Sequence, residues 1–128
     1  MKTIKDIRKD TKRAREYFEN KLAYSLGPVE LENMMTTYPD EVRIIDVRKP
    51  EDFEKGHIPA SINMQPFEID ETKECSWSSD KINIMVCYNQ QCHLGASCAY
   101  KLAKKGCPVM ELEGGFRAWE KFGMKVEV

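Results

Sequence analysis

Apolar and polar positions alternate along this chain with two different periods. Over residues 3–24, Ile4, Ile7, Ala14, Phe18 and Leu22 recur near one face of a 3.6-residue repeat, with charges elsewhere, which predicts an amphipathic helix. Gly27-Pro28 ends it, and Pro28 opens a second helix over about 28–37. Residues 42–47 (VRIIDV) and 82–87 (INIMVC) are short, β-branched apolar runs and predict buried parallel strands. Residues 61–64 and 109–112 predict two more short strands. Between them, Pro50-Glu51-Asp52-Phe53 starts a short helix with acids at its positive end, and Gly56 and Pro59 break it. A helix is expected over 92–105, ended by Gly106, and a last one over 116–122 after Gly114-Gly115. Residues 65–80 have poor periodicity, with room for one helical turn.

Strands alternating with helices predict an α/β fold: a central, mostly parallel sheet with helices on both faces, plus an extra N-terminal amphipathic helix. Ligands of such sheets sit beyond the carboxyl ends of the strands. Cys87 lies at one of those ends, directly before a helix.

Composition narrows the function classes. With 128 residues, 41% hydrophobic and 32% charged, the chain has the size and balance of one soluble domain able to bury a core. It has no apolar run of membrane-spanning length, and charges stand where a signal peptide needs apolar residues, so the expectation is a cytoplasmic protein without membrane contact. Residues 1–25 hold eight Lys/Arg against four Asp/Glu, in a chain of net charge −1. That basic segment reads as a solvated helix face, and no nucleic-acid partner is expected. Five cysteines without an export signal argue against a structural disulfide framework, and only Cys87 and Cys92 stand at a zinc-pair spacing, with no second pair to complete four ligands, so neither metal nor cofactor is expected.

In the segment 86–97 (VCYNQQCHLGAS), a strand ends at Cys87, a four-residue loop follows, and a helix begins near Cys92. Backbone N–H groups turned inward and a helix N-terminus both stabilise an anion, so the arrangement favours a thiolate and would equally hold a persulfide. A thiolate that accepts sulfur and passes it on performs covalent catalysis. On local chemistry alone, a buried structural cysteine at a strand end fits as well.

Two further segments tip this balance. Residues 44–64 (IIDVRKPEDFEKGHIPASINM) resemble the N-terminal signature of rhodanese-like domains, and residues 112–123 (LEGGFRAWEKFG) resemble that family's C-terminal signature. The resemblance divides the chain into an N-terminal helical extension, residues 1–25, and a rhodanese-like domain, residues 26–128. It implies a sulfurtransferase in which Cys87 is the catalytic, sulfur-carrying residue. It also implies that Tyr88, Asn89, Gln90, Gln91 and Cys92 form the loop whose backbone binds the substrate sulfur. Asp46 and Arg48 would anchor a strand end, with Arg48 pairing Glu51 or Asp52. His57 would fix a turn, and Phe116 and Trp119 would be core.

The chain departs from the family where many members carry an arginine, five residues after the catalytic cysteine. Here Cys92 stands there, followed by His93, and the loop holds no positive side chain. Thiosulfate, a dianion, is then a poorer expected donor than a polysulfide or a protein persulfide. Expected acceptors are a small thiol, a partner protein's cysteine, or cyanide. Cys92 is a candidate resolving residue that attacks a Cys87 persulfide, and His93 a candidate base or loop support. Cys98 and Cys107 read as core, and Cys75 as exposed. Two alternatives remain: a non-catalytic binding module on the same fold, and a Cys87/Cys92 thiol redox switch. A phosphatase would need a longer loop and an arginine for the dianion. The first helix is also a candidate homodimer contact.

Overall fold

The computed structural model describes residues 3–72 and 80–128. The expected Cys75 exposure therefore falls outside the described residues. Five strands form one sheet: β1 (Ser25–Leu26), β2 (Val42–Asp46), β3 (Ile62–Asn63), β4 (Ile82–Val86) and β5 (Val109–Leu112). Their spatial order is β1-β5-β4-β2-β3, and every pairing is parallel. The α/β class and the parallel sheet are as the sequence pattern predicts. β1 is an addition: two residues make no apolar run, yet they pair with Glu111 and Leu112 and extend the sheet.

Side-chain alternation along the strands sends the core to both faces. Ile44, Ile84, Val86 and Leu112 pack on one side with Leu31 of α3 (Pro28–Thr37) and with Phe116 and Trp119 of α7 (Gly115–Lys121). Ile58, which follows α4 (Pro50–Lys55), joins the same cluster. Ile45, Val47, Met85 and Cys87 pack on the other side with Ile69 of α5 (Pro66–Glu71) and with Cys98 and Leu102 of α6 (Leu94–Lys104). Cys98 and Cys107 are buried, as expected.

The N-terminal segment departs from a single helix over 3–24. It is two helices, α1 (Ile4–Lys9) and α2 (Thr11–Tyr24), broken at Asp10, whose ψ of 49° is non-helical. A capping box between Thr3 and Asp6 closes the first turn of α1. Neither helix has a buried residue, and the stripe of Ile4, Ile7, Phe18 and Leu22 faces solvent. The tie from α2 to the sheet is polar: the Lys21 ammonium donates to both Glu113 carboxylate oxygens, at 2.8 and 2.9 Å. Among the described residues, no helix is long and apolar enough to cross a membrane.

Chain direction fixes where a site forms. From β2 the chain moves outward to β3, whereas from β4 it moves the opposite way to β5. β2 and β4 are neighbours, so their carboxyl ends, at Val47 and Cys87, flank the switch point of the sheet.

Candidate active site

Beyond β4, the backbone of Cys87 and Tyr88 is tied to the first turn of α7. Phe116 N–H donates to Cys87 O at 2.8 Å, and Arg117 N–H to Tyr88 O at 3.0 Å. Such close approach needs a residue without a side chain. Gly115 has φ +61°, and a Cβ there would stand 2.6 Å from Cys87 O and 2.9 Å from Asn89 N.

The loop closes on itself. Gln91 N–H donates to the Asn89 Oδ1 at 3.0 Å, and Cys92 N–H to Asn89 O at 3.2 Å. These two N–H groups are thus spent inside the turn, while those of Tyr88, Asn89 and Gln90 donate to no acceptor among the described residues. α6 begins at Leu94, two residues later than the pattern predicts, because Gln91 and Cys92 belong to the turn. His93 holds the N-cap position, exposed and without a side-chain cap bond.

Cys87 is 4% exposed, and its sulfur lies in bonding contact with that of Cys92, with Cα atoms 6.6 Å apart. That separation lies within the span a disulfide bridges. Tyr88 turns away from the sulfur. Its hydroxyl donates to Asp52 at 2.6 Å and accepts from Lys49 N–H at 3.1 Å, which joins the loop to α4.

A cavity of about 740 Å³ opens over Cys87, Asn89, Gln90, Cys92 and His93. Its other walls go beyond the residues that the motifs single out. α2 contributes Tyr17, Lys21 and Tyr24, and β5 with its following turn contributes Glu111 and Glu113. Spacings of four and three residues put Tyr17, Lys21 and Tyr24 on one helical face, a signal that the apolar stripe obscures. Glu111 is legible as a carboxylate inside an otherwise apolar strand. Burial pushes the Glu111 carboxyl above the usual carboxylate range, and the neighbouring Glu113 charge adds to the rise.

The residues of the first sequence signature stand apart from this cavity. Arg48 does not pair with Glu51 or Asp52: its guanidinium grips Asp46, with Nε to Oδ1 at 3.0 Å and Nη2 to Oδ2 at 2.9 Å. Both residues are buried, so the pair nearest in the chain offers the desolvated charge its best compensation. Arg48 also donates to Gly56 O at 2.7 Å and lies 4.0 Å over the Phe116 ring. The His57 ring stacks on Phe53 at 3.9 Å, with Nδ1 2.8 Å from Phe53 O, so it fixes the turn after α4.

The model of the rhodanese-like domain matches residues 27–122. The chain belongs to this family. Among curated relatives, the thiosulfate sulfurtransferase GlpE of Pseudomonas syringae is 34% identical over 77 residues, covering 59% of this chain and 70% of that one. The putative sulfurtransferase YtwF of Bacillus subtilis is 31% identical, covering 63% of this chain and 76% of that one. Among solved structures, the BH2092 protein of Bacillus halodurans superposes with a TM-score of 0.81 at 28% identity, covering 92% of this chain and 86% of that one. The helical segment before residue 27, which carries Lys21 into the cavity, lies outside the family match.

Proposed function

We propose that this rhodanese-like domain is a sulfurtransferase that accepts a sulfane sulfur on Cys87 and hands it on from a persulfide. The observation that carries the reading is the placement of Cys87. It stands at the carboxyl end of a central strand, at the sheet's switch point and under an open cavity. The N–H groups of Tyr88, Asn89 and Gln90 are the donors available to an anionic outer sulfur. Cys87 is the nucleophile, and the loop 88–92 shapes its surroundings.

The cavity walls hold Glu111 and Glu113 against Lys21, whose charge Glu113 already neutralises. A protein persulfide, or a polysulfide in its monoprotonated form, is therefore a better donor than dianionic thiosulfate. The acceptor is a thiol, or cyanide in an assay. The test is intact-protein mass spectrometry after exposure to polysulfide and, separately, to thiosulfate. The wild type should gain one sulfur atom from polysulfide, and Cys87→Ser should gain none. No gain from either donor would refute the reading and favour a binding module.

The contact between the Cys87 and Cys92 sulfurs supports a second step. The Cys92 thiolate attacks Sγ of a Cys87 persulfide, forms the Cys87–Cys92 disulfide and releases the outer sulfur as hydrosulfide. If mild oxidation removes two protons from the protein, and no donor ever loads sulfur, the pair is a thiol redox switch instead.

A further inference from the structure

Sulfur carriage as outlined leaves one group in the cavity unused. Glu111 pairs with Met85 across the β5–β4 ladder, two residues before Cys87 leaves the sheet. Strand alternation puts its side chain on the α6 face, the face that also receives Cys87. The two meet where α6 has no side chain. A Cβ at Gly95 would stand 3.2 Å from Cys87 Cβ and 3.3 Å from Glu111 Oε2, so carboxylate and cysteine flank the same point.

Other charges around the cavity leave Glu111 unsatisfied. Lys21, from α2, gives its ion pair to Glu113. His93, from the start of α6, and Lys21 each favour the Glu111 carboxylate through space, and Glu113 opposes it. The remaining titratable groups on the walls are Tyr17, Tyr24 and Cys92. No hydrogen bond or ion pair among the described residues ends on the Glu111 carboxylate. A half-buried carboxylate in that state, beside a thiol that must gain and lose sulfur, is placed to exchange a proton with a bound reactant.

We propose that Glu111 is the proton-transfer group for sulfur transfer from Cys87, and that the acceptor it serves is a small, uncharged thiol. The proposal rests on the sulfur-carrier reading above. An acceptor R–SH enters the cavity protonated, and the Glu111 carboxylate takes its proton. The thiolate then forms a bond to the outer sulfur of the Cys87 persulfide, which reacts in its protonated S–SH form and keeps that proton. The bond between that sulfur and Cys87 Sγ breaks, and its electron pair stays on Sγ. The Glu111 carboxyl returns the proton to Sγ, so the products are R–S–SH and the Cys87 thiol, with no net oxidation. The acceptor class follows from the walls: Cys87 is nearly covered, α2 narrows the cavity above it, and the Glu111 carboxylate disfavours a second anion.

The elevated affinity of Glu111 for its proton sets the sign of the pH dependence. The base form is lost as pH falls through the raised pKa, so transfer should slow on the acid side at a higher pH than an ordinary carboxylate would give. Single-turnover transfer from persulfidated protein to 2-mercaptoethanol, with 2-mercaptoethanesulfonate as the anionic comparison, tests this across pH. Glu111→Gln should transfer about 10²-fold more slowly to 2-mercaptoethanol, the usual loss of a general base. It should also lose the acid limb and most of the discrimination against the sulfonate. Glu111→Asp should keep the limb, which a purely structural role would not explain. The mass gain on loading reports whether each variant retains a working site. Should Glu111→Gln fail to load, the wild-type limb and the Glu111→Asp profile decide alone, and absence of the limb in both overturns the proposal. Equal rates and pH profiles in wild type and Glu111→Gln overturn it while the carrier reading stands. A wild type that never loads sulfur overturns both.

Discussion

Gly115 is the position where backbone geometry and the active-site loop are most tightly joined, and Gly115→Ala separates two costs. The first is conformational: φ is +61°, and an L-residue pays roughly 1–2 kcal/mol in the left-handed region. The second is contact. The new Cβ would stand 2.6 Å from Cys87 O and 2.9 Å from both Asn89 N and Tyr88 C, all backbone atoms that no rotamer change can clear. Overpacking of that kind adds about 1–3 kcal/mol, for a total of about 2–5 kcal/mol. Gly106→Ala is the matched control: φ is +88°, but nothing lies within 4 Å of the added Cβ, so only the conformational cost applies. At this chain length each kcal/mol moves the melting temperature by about 4 °C. Thermal unfolding followed by circular dichroism should therefore show a fall of about 8–20 °C for Gly115→Ala and about 4–8 °C for Gly106→Ala. Loading of Cys87 should suffer only in the first, because the clash pushes on the loop. Equal melting temperatures for the two variants would refute the close-packing argument.

Three further outcomes follow from buried groups. Asp46→Ala leaves the Arg48 guanidinium 4% exposed and without its carboxylate. It should lower stability by about 3–5 kcal/mol in urea unfolding, and a loss under about 1 kcal/mol would show that the guanidinium reaches water or another partner. Burial pushes the Cys98 thiol above its usual range, so iodoacetamide at neutral pH should label Cys98 only at the rate of unfolding. By linkage, Cys98 contributes stability that is whole below the ordinary thiol pKa and is lost as pH rises through the raised one. Peptide mapping of the labelled protein, and unfolding curves taken from neutral to alkaline pH, check the two statements.

What the sequence makes legible, and what it hides, divides along the range of the physical interaction. β2 and β4 are apolar runs, and each declares itself because burial on both faces demands it of every residue in the run. Cys87 is legible for the same reason, as the residue where such a run ends. β1 is invisible, because a two-residue ladder is a property of the strand it meets and not of Ser25 and Leu26 themselves. α6 starts two residues late because Asn89 holds Gln91 and Cys92 in a turn and the first i→i−4 bond runs from Ser97 N–H to His93 O, contacts that periodicity does not register. The break at Asp10 carries no Pro or Gly to announce it.

α2 is the most instructive case. Its apolar stripe suits packing on the domain, a dimer contact or a partner alike; the stripe is exposed, and the face that meets the domain carries Tyr17, Lys21 and Tyr24. The spacing of apolar residues describes one helix at a time, whereas docking is decided by what the other surface offers. Here the edge beside β5 offers Glu113 and the polar mouth of a cavity, and an ammonium on a flexible stem fits that better than isoleucine. The same logic explains why the motifs do not mark Glu111 as a site residue. Ninety positions separate it from Lys21, and the two become neighbours only once β1 adds to β5 and brings the end of α2 over the cysteine. The signatures in this chain mark the scaffold, and the loop between them holds the proposed nucleophile. The carboxylate that would choose its reaction partner, Glu111, lies outside both signatures, and it is found by asking which unsatisfied group the folded sheet leaves facing the sulfur.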